Sequence, residues 1–138
     1  MNYQINEGKL QLPDHYTDES INIIKLPIQQ ASLVITRTIL KDKQTEEDYF
    51  LKQIAALKKN MKRFMAGDRL PTLLGCHSAF ETQLQFEQKG VTLHQFLLTA
   101  QLPNTQQLLV FTYAQARALT ETDKQYWQAL KASFVLTE

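Results

Sequence analysis

Ser78 to Tyr113 reads SAFETQLQFEQKGVTLHQFLLTAQLPNTQQLLVFTY, and this stretch decides the fold. From Ser78 to Phe86 the residues alternate, with Phe80, Leu84 and Phe86 set against Glu81, Gln83 and Gln85. Period-two alternation is the pattern of a strand with one face buried. Lys89-Gly90 is a turn signal, and Val91 to Ala100 reads as the return strand. Pro103-Asn104 marks a second turn, and Gln106 to Tyr113 reads as a third strand, apolar on both faces. Strands joined by turns this short pair antiparallel, so the segment predicts a three-stranded meander.

Upstream lies a helix signal. Thr45-Glu46-Glu47-Asp48 resembles a capping box and places acids at the positive end of a helix dipole. Phe50, Ile54, Leu57, Met61 and Phe64 recur at spacings of four and three, which makes one apolar stripe. Lys58, Lys59, Lys62 and Arg63 crowd the last turns, where cations suit the dipole, and Gly67-Asp68 ends the element.

Further upstream, Ser20 to Leu26 and Ser32 to Ile39 read as strands joined through Pro27-Ile28-Gln29-Gln30, short enough for antiparallel pairing. Tyr3 to Gln11 is a weaker strand or hairpin interrupted at Gly8, and Pro13-Asp14 ends it. Past the meander, Thr122 is expected to cap a final helix carrying Tyr126, Trp127, Leu130 and Phe134. The predicted order is β-β-β-α-β-β-β-α. That is an α+β fold, an antiparallel sheet packed against a long central helix and a C-terminal helix.

The 138 residues, 43% hydrophobic and 21% charged, suit one domain spanning 1–138 and do not suit disorder. A net charge of +1 does not imply a polyanionic partner. One cysteine, Cys76, leaves no intrachain disulfide and no need for an oxidising compartment. The opening MNYQINEGKLQLP lacks the pattern of a secretory signal. No apolar run approaches the ~20 residues needed to cross a bilayer. These features predict a soluble cytoplasmic protein.

No set of residues predicts catalysis. His15, His77 and His94 are isolated in sequence, and Cys76-His77 lacks a second pair of ligand spacing, so neither a metal nor a cofactor is expected. If that pair lies in a strand, its side chains point to opposite faces. A nucleophilic Cys76 would need a base and an orienting group; His77 or His94 could serve as the base only if the fold brings one of them close, and the sequence does not show that it does. Glu46, Glu47 and Asp48 are explained as helix N-terminal charges, and Lys58 to Arg63 as a solvated helix end. The glycines stand alone, so no phosphate loop is present.

Surface chemistry is more informative. Ile21 and Ile23 face one side of their strand, while Ile24 and Leu26 face the other; Leu109 and Phe111 similarly oppose Leu108 and Val110. If both helices pack on one side of the sheet, an apolar face remains open and marks a partner site. If each helix covers one face, none remains. Glutamines are set into these runs, Gln95 in register with Val91, Leu93 and Leu97, and Gln53 beside Ile54 on the helix. A glutamine amide donates and accepts at once, which suits capture of polar groups inside a greasy groove.

An ordered set of segments resembles the Eag family of type VI secretion chaperones, which have a DcrB/PsbP-like α+β domain. It begins with Asn6-Glu7-Gly8 before Leu12-Pro13, then Asp18-Glu19-Ser20-Ile21-Asn22-Ile23-Ile24 and Leu33-Val34-Ile35-Thr36-Arg37. It continues through Gln53-Ile54 to Leu57, Leu74-Gly75, His94-Gln95, Thr112 and the Trp127 helix.

The resemblance implies a non-enzymatic cytoplasmic chaperone without cofactors. It would shield the N-terminal transmembrane helices of a Rhs or PAAR effector until loading on the secretion spike. It also implies a homodimer forming a concave clamp, with client-binding positions at Ile21, Ile23, Gln53, Met61, Val91 and Gln95. The competing expectation is a small-ligand or lipid-binding module using the same groove.

Overall fold

The computed structural model describes residues 2–137. Two short strands, β1 (Asn2–Ile5) and β2 (Gly8–Gln11), form a separate antiparallel hairpin. It is tied to the next segment by Tyr3, whose hydroxyl donates to Asp18 Oδ2 at 2.6 Å. Then come β3 (Asn22–Leu26), β4 (Ala31–Ile39) and helix α1 (Glu46–Asn60). After α1 follow β5 (Lys62–Ala66), β6 (Leu70–Leu74), β7 (His77–Gln88), β8 (Val91–Gln101), β9 (Gln107–Gln115) and helix α2 (Glu121–Ala132).

The α+β class holds, as do the β3–β4 hairpin and the β7–β8–β9 meander. The element order is longer than β-β-β-α-β-β-β-α: the N-terminal segment is a full hairpin, and two strands, β5 and β6, precede the meander. The main sheet runs β3-β4-β9-β8-β7-β5, with β6 also on β7. At twelve residues, β7 is long enough to hold β6 along its first half and β5 along its second. Pro71, which cannot donate to a ladder, is tolerated because β6 lies at the sheet edge.

The expected helix stops early. Met61 is the C-cap of α1, its N–H donating to Leu57 O, and Arg63 takes a left-handed φ of 52°. The chain then runs as β5, with a register shift between Lys62 and Met65. Pairing with the open edge of β7 replaces the helical hydrogen bonds. Phe64 still packs against the cluster that holds Ile54 and Leu57, so the apolar stripe keeps its burial while its backbone changes type. At the other end, α2 is capped by Thr120, not Thr122: Thr120 Oγ1 accepts from Asp123 N at 3.2 Å, and Asp123 answers from Thr120 N at 2.8 Å.

Alternation along the paired strands divides the core in two. On one face Leu33, Phe96, Leu98, Phe111 and Tyr113 pack under Trp127 of α2. The Trp127 ring stacks on Phe96 at 5.5 Å. Lys131, also on α2, is fully buried and pairs with Glu81, donating to Thr72 Oγ1 at 2.9 Å as well. On the opposite face Leu84, Leu97, Leu108 and Val110 pack under Phe50, Ile54 and Leu57 of α1. The helices therefore lie on opposite faces. Arg69 pins the start of α1, pairing with Glu46 while its guanidinium sits 3.7 Å over the Phe80 ring.

Candidate functional site

On its face of the sheet, helix α1 packs on Leu84 of β7, Leu97 of β8, Leu108 and Val110 of β9, and Leu40 just past the end of β4. Register places Ile23, Val34, Thr112 and Leu97 in one cross-strand row on that face, and Lys25, Ser32, Ala114 and Gln95 in the next. Leu97 is buried under the helix. Val34, Thr112, Ser32 and Ala114 are only half-buried, and Ile23 is 65% exposed. An open cleft of about 510 Å³ lies over this uncovered part, running from the β3–β4 turn across β4 and β9 to Leu93 and Gln95 on β8.

Each expected site residue has a definite place. Ile23 on β3 is aligned with Val34, while Ile21, 60% exposed, stands just ahead of the strand. Gln95, half-buried between Leu84 and Ala114, lines the cleft. Gln53 is half-buried on α1, the helix that bounds the covered side. Val91, 46% exposed, opens β8 four residues from Gln95 and so shares its face. Met61 is half-buried at the end of α1 and lines a separate, smaller depression of about 220 Å³ beside Glu87 and Gly90. Ile23 and Gln95 thus belong to one face, Gln95 in the cleft lining and Ile23 beside it through Val34, whereas Met61 borders a different hollow. Val34, Thr112, Ser32 and Leu93 form the floor and were not singled out as site residues. Their signal was alternation within β4, β8 and β9, which marks a face without saying that a helix leaves it uncovered.

One end of the cleft is cross-linked by side-chain hydrogen bonds. Arg117 makes a two-pronged pair with Asp123, at 2.6 and 3.0 Å, and also donates to Gln29 O in the β3–β4 turn at 3.0 Å. Gln115 Nε2 donates to Asp123 Oδ2 at 3.0 Å. The hydrogen bonds from Arg117 foremost, with those from Thr120 and Gln115, hold the Asp123 carboxyl well below the usual carboxylate range although burial opposes this. Among the described residues no group of three or more His, Cys, Asp or Glu is placed to hold a metal. Cys76 and His77 lie at a turn and a strand start, and their Sγ and Nε2 approach to 3.8 Å, so the opposite-face placement expected of a strand pair does not apply. No helix among the described residues is long and apolar enough to cross a membrane.

The molecule is thus a small α+β protein whose sheet carries a helix on each face and an open cleft beside one of them. The DcrB family model matches residues 7–133, and the chain belongs to that family. It is similar to Effector EagT6 of Pseudomonas aeruginosa strain PAO1, 30% identical over 92 residues, 64% of this chain and 64% of that protein. The Eag resemblance carried by the sequence is borne out by that likeness, which spans just under two thirds of the relative's length. Among solved structures, a Pseudomonas aeruginosa protein of unknown function, PA94, superposes with a TM-score of 0.74 at 24% identity, covering 100% of this chain and 97% of that one. LpqN of Mycobacterium tuberculosis, involved in cell envelope biogenesis, superposes at 0.55 with 15% identity, covering 88% and 78%. These two likenesses establish the fold alone.

Proposed function

We propose that the chain is a cytoplasmic, non-enzymatic chaperone associated with a type VI secretion effector. In this reading it binds the effector's N-terminal transmembrane helices, of the Rhs or PAAR kind, before loading on the spike. The observation that carries the proposal is the half-covered sheet face: apolar side chains interleaved with amides and hydroxyls, lying open beside α1. The likeness to a protein named Effector EagT6 supports the effector association.

A transmembrane helix in water is apolar on all sides. Burying roughly 1,000 Å² of it at ~25 cal/mol/Å² gains of order 25 kcal/mol gross, before the costs of association and ordering. Gln53 and Gln95 would satisfy polar groups on such a helix, as interhelical hydrogen bonds do in membranes. Ile21, Ile23 and Val91 would supply apolar contact, and Met61 a flexible one. One cleft of this breadth covers one side of a helix. A homodimer with two clefts facing each other would enclose it.

A second reading, a small-ligand or lipid module, has the cleft volume in its favour, since ~300–1,000 Å³ is usual for such sites. The cleft's shallow, unroofed form supports the helix reading over it. Co-expression without detergent with the effector's apolar N-terminal fragment tests the choice. A soluble complex is expected. A fragment left in the pellet, with a small apolar molecule retained by the purified chain, would transfer the assignment to the second reading.

A further inference from the structure

The cleft carries one charged side chain, and it has no counterpart. Lys25 stands on β3 at the rim, opposite Ser32 and in the row that leads to Gln95. The rest of the lining is apolar or neutral, as with Val34, Leu93, Ser32 and Gln95, and contains no aspartate or glutamate. Among the described residues Lys25 has no ion-pair partner. The nearby cation at the same turn, Arg117, differs: its charge is met by Asp123. Lys25 also sits on an edge strand, where a lysine discourages strand-to-strand pairing. That role asks only for exposure, not for a place in the lining of a cleft.

Building on the client-helix reading, we infer that Lys25 selects the polarity of the occupant. The cleft takes an apolar helix whose carboxyl end, carrying an acidic residue, lies at the β3–β4 turn. The physical basis is additive. A helix carboxyl end bears a partial negative charge, and an acidic residue there strengthens it. An end flanked by lysine or arginine would place like charges together, so the basic flank of a membrane helix is directed away from this turn. Complementary charge at a cleft rim sets orientation and register more than gross affinity, and the interaction weakens with salt.

The test uses the full chain and three synthetic apolar peptides of ~20 residues, long enough to span a bilayer, made soluble by polar tails. They differ only at the carboxyl end of the apolar stretch, which carries Asp, Asn or Lys. At low salt the Asp peptide is expected to bind about 3- to 10-fold more tightly than the Lys peptide, with the Asn peptide between, and high salt should compress the difference. Lys25→Glu should invert the order of the Asp and Lys peptides and weaken the Asn peptide by less than it weakens the Asp peptide, because a helix carboxyl end alone carries only a partial charge. The side chain is exposed, so the circular dichroism of the variant should match that of the parent. Equal binding of all three peptides by the parent, or an order that survives Lys25→Glu, overturns the role of Lys25 while leaving the cleft reading intact. Failure of all three peptides to bind overturns the cleft reading, and this inference with it.

Discussion

Asp123 joins a helix cap, a cation and a strand end in one carboxylate. Arg117 holds its pKa low, so the folded form keeps the charge at a pH where the unfolded chain takes up a proton near 4. A depressed carboxylate contributes its stability above the unfolded pKa and loses it as pH falls through that value towards the folded one. The urea midpoint of the parent should therefore fall more steeply between pH 5 and pH 3 than that of Asp123→Asn; parallel curves would contradict this account. Thr120→Ala, which removes the reciprocal cap, should cost about 1 kcal/mol in the same urea titration. At Gly75 the backbone has φ +62°, and an added Cβ would lie 2.3 Å from Phe134 O, so Gly75→Ala should destabilise by about 1–3 kcal/mol. None of these three roles was legible in the chain. Arg117 and Asp123 meet only after α2 turns back over β9, and two threonines near the helix start, Thr120 and Thr122, are equally apt caps. The faces of Gln95 and Ile23 were legible, because alternation assigns each a face without any knowledge of its neighbours, whereas their place as client-binding positions came from the family resemblance.

At the scale of elements, α1 is where periodicity misled and where it also held. Spacings of four and three carried the apparent helix to Phe64, yet the backbone turns to strand after Met61. The period records burial, and Phe64 is packed against the α1 cluster from either backbone. The competing demand was the unpaired edge of β7, a tertiary fact that no local window contains. Strand β6 was hidden for a similar reason, since Pro71 argues against a strand unless the strand is at an edge. Leu57 packs against the α1-side cluster, so Leu57→Asp should cost about 2–4 kcal/mol in urea unfolding, while exposed Lys58→Ala should change it by about 0.5 kcal/mol or less. Similar costs for the two variants would mean that α1 is not docked through this stripe.

Over the whole molecule, the question left open by the sequence was whether two helices cover both faces or one. They take opposite faces, and α1 is too narrow for its side, so Ile23, Val34 and Thr112 remain accessible beside it. Neither alternative alone described that outcome, because the width of sheet under a helix depends on β4 pairing with β9 across the intervening elements. Ile23→Asp places a carboxylate on the open face without touching either core cluster. It should leave the urea midpoint near that of the parent while abolishing retention of an apolar helix. The most direct measurement joins the two. The chain and its Ile23→Asp variant are each co-expressed, without detergent, with the apolar N-terminal fragment of the proposed effector client, and the soluble fractions are weighed by size-exclusion with light scattering. The account predicts a soluble complex holding two copies of the parent chain, and a folded variant that leaves the fragment in the pellet. A variant that keeps the fragment as soluble as the parent does would contradict the assignment of this face.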